Sequence, residues 1–306
     1  MASAAQHLIA GDLVAFPTET VYGLGADACN SQAVSRIYSV KGRPNDHPLI
    51  VHIASIDRIG DWATDIPEYA IALARNFWPG PMTLVLKRSQ LAGDFVTAGQ
   101  DTVGVRVPDH VVALALLEAF EKVGGKGVAA PSANRFGHIS PTTASAVIEE
   151  VGEYLSKSDL VLDGGACDVG VESTIIECTG RIPRVLRPGA VTEIEILKVA
   201  QALNTDVVTS KTKVSGNLQS HYKPRARVVV NQIPRNGQGF LALSNIPTPD
   251  GLIRLAVPNS ATEYAQILYE AFRKADKMGL FEILVVLPKG SGIELAILDR
   301  VTKAAY

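Results

Sequence analysis

Phe16-Pro17-Thr18-Glu19-Thr20-Val21-Tyr22-Gly23-Leu24-Gly25 is an apolar strand that breaks at a proline into hydroxyl and carboxyl side chains, then a glycine-spaced turn. One helix-length further on, Lys41-Gly42-Arg43-Pro44 places an ammonium and a guanidinium two residues apart. Hydroxyls at a strand end beside a paired cationic clamp suit a small polar metabolite held against phosphates. Two further cations sit in apolar or Gly/Pro surroundings. Arg106 lies in Thr102-Val103-Gly104-Val105-Arg106, where alternation puts Thr102, Gly104 and Arg106 on one face, and Arg187 lies in Leu186-Arg187-Pro188-Gly189. A buried cation needs a partner. Each alone could pair with a structural carboxylate; the four together favour an anionic ligand.

Pro131-Ser132-Ala133-Asn134 follows one buried strand, and Glu172-Ser173-Thr174 precedes another. Either alone reads as turn or cap chemistry; at strand ends both could line a crevice. His52 alone reads as a core histidine, and His221-Tyr222 is an aromatic pair in an otherwise polar segment. No GxxxxGK(S/T), HExxH or GxSxG pattern occurs, and the six histidines do not fall at metal-ligand spacing. No nucleophile–base pair stands out, so catalysis by this chain would rest on positioning and charge stabilisation.

The elements that must carry these residues alternate between strand and helix. Strands are expected at 13–16, 48–53, 82–86, 102–107, 127–130, 160–162, 174–178 and 184–186. Helices are expected over 31–40 (capped by Asn30 or Ser31), 67–77, 111–122 and from Ser140-Pro141 to Val151. A last one, opened by a Thr192/Glu195 capping box, ends near Leu203. The pattern predicts a mixed α/β domain, its sheet covered by helices on at least one face. Residues 205–227 are polar and aperiodic, long enough for a linker or a lid. A smaller unit follows, with strands at 228–230, 240–243, 252–257 and 283–287. Its helix over 262–278 has Ser260 and Glu263 as a capping box, and a short C-terminal helix closes the chain. The expected division is therefore 1–204, linker 205–227 and 228–306.

The 306 residues are 47% hydrophobic and 20% charged with formal net charge −2, which argues against a chain whose main work is neutralising a nucleic-acid backbone. No signal peptide is read, and no apolar stretch reaches the roughly 20 residues of a bilayer span. Cys29, Cys167 and Cys178 are scattered without a CxxC pair, which predicts reduced thiols in a cytoplasmic protein.

With its motifs assembled, the chain resembles the threonylcarbamoyl-AMP synthase family in its two-domain form. The motifs are FPTETVYGLGADA, KGRPNDHPLIVHI, FWPGPMTLVL, TVGVRVPDH, APSANRFGHISPT, GVESTIIE and VLRPGA, with GNLQSHYKP in the linker. The resemblance implies a YrdC-like twisted mixed sheet with flanking helices and a smaller Rossmann-like α/β C-terminal domain. It implies that L-threonine and bicarbonate form an N-carboxylated amino acid, whose carbamate oxygen attacks the α-phosphorus of ATP and releases pyrophosphate. Mg²⁺ would accompany ATP. The product would serve N6-threonylcarbamoyladenosine formation in tRNA, with handover to a tRNA threonylcarbamoyl transferase complex and at most weak tRNA contact. By the same carry-over Thr20, His52, Arg106, Ala130 and Ser173 hold threonine. Lys41, Arg43, His47, Thr102, Ser132, Asn134, Ser140, Arg187, His221 and Tyr222 hold ATP, Lys41 and Arg43 stabilising charge. Two positions depart from the family pattern: His47 stands where Asn is frequent, and Ser215-Gly216 where Ser-Pro-Gly is frequent. Two rivals are a carbamoyl-adenylating transferase of hydrogenase-maturation type, which carries cysteine-rich modules missing here, and a non-catalytic RNA-binding module.

Overall fold

The computed structural model describes residues 1–202, 212–214, 216 and 221–306; most of the expected linker therefore lies outside the described residues. The first part of the chain runs α1 (Ala2–Ala10), β1 (Val14–Phe16), β2 (Gly23–Asp27), α2 (Ser31–Lys41), β3 (Ile50–His52), α3 (Ile59–Trp62), α4 (Glu68–Phe77) and β4 (Met82–Lys87). It continues through α5 (Asp94–Thr97), β5 (Thr102–Arg106), α6 (Val111–Lys122), β6 (Val128–Ala129), α7 (Ala144–Val151), β7 (Leu160–Val161), β8 (Thr174–Glu177), β9 (Arg184–Arg187) and α8 (Glu193–Ala200). Then come β10 (Arg227–Val230), β11 (Gly239–Leu241), β12 (Ile253–Ala256), α9 (Ala261–Lys277), β13 (Glu282–Val285) and α10 (Glu294–Ala305).

Among the described residues nine strands form one mixed sheet, ordered β7-β1-β2-β6-β3-β5-β4-β8-β9. Its side chains divide with the period of two that strands impose. Val14 and Phe16 pack with Leu8 of α1 and Leu116 and Phe120 of α6, while Leu13 and Ala15 join Ile37 of α2, Leu73 of α4 and Val147 of α7. Helices thus cover both faces. Four parallel strands, β10-β13-β11-β12, form the second sheet. This is the mixed-sheet domain with a smaller Rossmann-like unit that the sequence implies.

The second unit does not sit apart. Val228, Leu241, Leu255, Ile283 and Val285 share one core with α9 and α10, and Val21, Ile139, Val171 and Tyr222 belong to that same core. Gly170 makes this approach possible: a Cβ there would lie 2.4 Å from the Gln266 Cα of α9, and its φ of +76° is one that glycine tolerates. The contact brings the 169–173 loop onto the second unit. Among the described residues no helix is long and apolar enough to cross a membrane.

Several local expectations change. Residues 23–27, read as a turn, are strand β2, paired antiparallel with both β1 and β6; the glycines there let Phe16, Val128 and Ala130 close over the backbone. The helix expected from Ser140 begins at Ala144 with Thr143 as its cap, because the Ser140 hydroxyl is spent on Glu172. The helix expected to reach Leu203 ends at Ala200, where Gln201 turns left-handed. Ser260 caps α9 through the Glu263 N–H, but the Glu263 carboxylate accepts from Asn259, so only half of a capping box forms. The α1 helix had no periodic signal beyond Ala4, Ala5 and Leu8.

Candidate active site

The strand ends β1, β3, β5 and β8 open on one cavity, lined by Thr18, Thr20, Val21, Gly23, Ile50, His52, Arg106, Ala130, Pro131, Ser132, Glu172, Ser173, Arg187, Gly216, His221 and Tyr222. All five residues expected to hold threonine are there. Of those expected on the ATP side, Ser132, Arg187, His221 and Tyr222 are there too.

One wall is the turn after Phe16. The Thr18 hydroxyl donates to the Val21 carbonyl at 2.7 Å and lies 2.8 Å from the Thr20 hydroxyl, which fixes both threonines. Between them Glu19 turns to Arg106: Oε1 lies 2.7 Å from Nη2, and both side chains are buried. The contact is an ion pair without hydrogen-bond alignment, since neither Glu19 oxygen nor Nη2 has a hydrogen-bond partner among the described residues. Arg106 Nε donates to the Gly80 carbonyl at 3.3 Å. The parallel register of β3 and β5 sets His52 directly beside Arg106. Burial, reinforced by the Arg106 guanidinium, brings His52 down to about 3. Its Nδ1 is buried without a partner among the described residues.

The opposite wall is cationic. Lys41 closes α2 with its ammonium fully enclosed, donating to the carbonyls of Ser132 (2.6 Å) and Asn134 (2.5 Å). Burial, with Arg43 nearby, holds its proton affinity well below the usual lysine range. Arg43 donates to the Pro48 carbonyl at 3.0 Å and is brought by burial to about 10. Arg187 donates twice to the Ser173 carbonyl (3.1 and 2.9 Å) and to the Ser173 hydroxyl (3.2 Å), which itself sits 2.8 Å from that of Thr83. Ser132 donates to Asn134 Oδ1 at 2.5 Å, and Asn134 Nδ2 to the Arg135 and His138 carbonyls. Lys41, Arg43 and Asn134 therefore brace the cavity from behind its lining.

His221 and Tyr222 close the space. The Tyr222 N–H donates to His221 Nδ1 at 2.9 Å, leaving Nε2 to carry the proton of the neutral ring. Burial first, and then Lys41, Arg43 and Lys303, lower His221 to about 3 against the opposing pull of Glu172. Tyr222 has a φ of +62° and a buried hydroxyl without a hydrogen-bond partner among the described residues.

Three expected residues stand elsewhere. His47 is 2.8 Å from Asp46 and edge-on to Phe136 at 5.3 Å. Phe136 in turn faces His221 at 6.1 Å, so His47 reaches the cavity only through that ring. Thr102 and Gly104 line a neighbouring cavity that shares Ile50 with the first and is flanked by Lys213 and Val214. Ser140 donates to Glu172 Oε1 at 2.5 Å behind the wall. Sequence reasoning assigned Glu19 no role beyond its place in the turn after Phe16, and did not single out Tyr269, Arg300 or Lys303. Arg300 Nε donates to Glu172 Oε2 (2.7 Å), Tyr269 to both Glu172 oxygens, and Lys303 Nζ to the Gly216 carbonyl at 2.8 Å.

The two histidines and Glu172 fix an acid dependence of stability. In the unfolded chain an imidazole takes up its proton near 6.5; in the folded protein His52 and His221 wait until about 3. The unfolded state then binds more protons between those values, so stability rises with pH across that window. Burial raises Glu172, but Arg300 and Arg187 outweigh it and hold it at about 2 against 4.5. Its contribution is present above 4.5 and lost as pH falls toward 2. Urea midpoints should fall steadily on acidification below about 6.5. His52→Gln with His221→Gln should flatten the upper part of that fall. A flat wild-type profile down to pH about 4 would contradict the assignment.

A helix-covered mixed sheet whose strand ends gather hydroxyls and cations around one cavity, packed against a second α/β unit, defines a two-domain α/β protein. The family described as Telomere recombination (Sua5_yciO_yrdC) matches residues 6–189, and Threonylcarbamoyl-AMP synthase, C-terminal domain, matches 190–306. The chain belongs to the threonylcarbamoyl-AMP synthase family, and it is an enzyme. It is 40% identical over 324 residues to the Threonylcarbamoyl-AMP synthase of Pyrococcus abyssi (strain GE5 / Orsay), covering 99% of this chain and 93% of the relative. That of Bacillus subtilis (strain 168) is 38% identical over 327 residues, covering 100% and 92%. The crystal structure of P. abyssi Sua5 complexed with L-threonine superposes with a TM-score of 0.86 at 38% identity, covering 99% of this chain and 93% of that one.

Proposed function

We infer that this chain is an L-threonylcarbamoyladenylate synthase, converting L-threonine, bicarbonate and ATP to threonylcarbamoyl-AMP, pyrophosphate and water. The observation that carries this reading is the single cavity uniting Thr20, His52, Arg106, Ala130 and Ser173 with Ser132, Arg187, His221 and Tyr222. Threonine lies against the first set. Its carboxylate faces the Arg106 guanidinium, whose planar fork suits a carboxylate. The neutral His52 offers an uncharged nitrogen to the amino-acid side and cannot repel a cation there. The threonine amine attacks bicarbonate carbon, water leaves, and the resulting carbamate oxygen attacks the α-phosphorus of ATP. Because the nucleophile comes from the substrates, the protein supplies alignment and countercharge. Arg187 provides that charge from the lining along the triphosphate, Lys41 and Arg43 add theirs from behind it, and His221 and Tyr222 cover it. Mg²⁺ enters with ATP as part of the substrate. Thr102, Asn134, Ser140 and His47 shape the nucleotide side from outside the lining. The product goes to tRNA threonylcarbamoylation in the cytoplasm.

The test is pyrophosphate release from ATP, which should require threonine and bicarbonate together. Release indifferent to threonine, or none, would overturn the reading. Gly216 gives a second measurement. Its φ is +83°, and a Cβ there would fall 2.4 Å from the Tyr222 hydroxyl and 3.1 Å from Arg187 Nη1. Gly216→Ala should raise the ATP KM about tenfold or more by displacing both groups. An unchanged KM would remove Tyr222 from the nucleotide cover.

A further inference from the structure

The residues used above lie on the mixed-sheet domain or just after it, yet one buried cation from the far end of the chain touches three of their supports. Arg300 of α10 is fully buried. Its Nε donates to Glu172 Oε2 (2.7 Å) and its Nη2 to the carbonyls of Glu172 (3.2 Å) and Pro188 (3.1 Å). Its guanidinium carbon lies 5.4 Å from the Tyr222 ring centroid. Glu172 precedes Ser173, Pro188 follows Arg187, and Tyr222 covers the cavity. A helix of the second unit thereby grips one residue beside each of the two proposed substrate sides, and the closing ring as well.

We propose that Arg300 is a positioning residue of the reaction, holding Glu172, Pro188 and Tyr222 so that Ser173 and Arg187 keep their places in the cavity wall. The inference rests on the functional reading above and gives the C-terminal unit a part in the chemistry. Five donors in a rigid fork allow one side chain to do this, and a lysine could not. A purely structural ion pair would predict loss of stability alone. Positioning predicts raised KM values as well, because Ser173 lies on the threonine side and Arg187 and Tyr222 on the nucleotide side.

The pH profile separates the two. Glu172 faces Arg300 of α10, Arg187 of β9, Tyr269 of α9, His221 and Tyr222 of the linker, and Lys41 of α2. Burial pushes its proton affinity up, and Arg300 is the strongest influence holding it down. Arg300→Met should raise the KM values for threonine and for ATP about 10- to 100-fold, and introduce an acid limb into kcat/KM for threonine. Arg300→Lys should restore the charge and abolish the limb while leaving the KM raised. The double variant Glu172→Gln/Arg300→Met removes both buried charges and guards against a failure to fold. It should keep the raised threonine KM and show no limb. A wild-type threonine KM in the double variant, or in a folded Arg300→Met whose pH profile is also unchanged, overturns the proposal. Wild-type protein without threonine-dependent pyrophosphate release overturns the functional reading instead, and the inference falls with it.

Discussion

Arg106→Met is expected to abolish threonine-dependent pyrophosphate release and to destabilise the fold by about 3–5 kcal/mol. Both effects come from one buried pair. Glu19 Oε1 sits 2.7 Å from Arg106 Nη2, with each side chain about 5–6% exposed. Removing the cation strands a carboxylate among Thr18, Thr20 and the apolar sheet, where no other cation lies within ion-pair reach among the described residues. Glu19→Gln in the Arg106→Met background should recover most of the lost stability, because a neutral amide no longer needs the guanidinium. Activity should stay absent in that double variant, since the proposed carboxylate contact is still missing. Urea unfolding and a pyrophosphate assay on the same preparations separate the two losses. A double variant that regained turnover along with stability would show Arg106 to be structural.

How much of this the chain announced depends on where each side chain's partner lies. Local partners were readable. Asn30 caps α2 through the Gln32 and Ala33 amides, and Thr192 with Glu195 forms the reciprocal box at α8, both within one helical turn. The strand face that carries Thr102, Gly104 and Arg106 followed from alternation, and its residues do line two adjoining cavities. Distant partners were not readable. Glu172 was singled out for the hydroxyls beside it, while its donors Tyr269 and Arg300 lie 97 and 128 residues away. A signal for Arg300 existed all the same. Along α10 the buried residues are Ala296, Ile297, Arg300, Val301 and Ala304, a helical stripe with one guanidinium at a core position. Charge on an apolar stripe demands a buried counter-ion. Arg273 on α9 repeats the pattern: it lies among Tyr269, Phe272 and Ala275 and pairs with Glu150 at 2.8 Å. Strand β2 escaped for the opposite reason. Gly23 and Gly25 signal a turn by composition, whereas here their lack of a side chain lets Phe16, Val128 and Ala130 close on the sheet, a Cβ at Gly25 falling 2.8 Å from Phe16.

Arg43→Ala should lower pyrophosphate formation about 10²–10³-fold, the range typical of losing one preorganised charge or donor at a reacting centre. The sequence alone suggested a fold left intact. The structure adds a stability cost, because Arg43 is buried and its Nη2 donates to the Pro48 carbonyl at 3.0 Å. Removing that donor leaves a part-buried acceptor short and should cost about 1–3 kcal/mol. Circular dichroism should remain that of the folded protein while the melting temperature falls. Arg43→Lys is the sharper variant. It returns a positive charge beside Arg187 but not the planar fork, so it should regain part of the rate and little of the Pro48 contact. Threonine binding measured without ATP should be nearly unchanged in both variants, since Arg43 belongs to the proposed nucleotide side. Turnover at the wild-type rate in folded Arg43→Ala would take Arg43 out of the reaction, and a loss of threonine binding would move it to the other side of the cavity.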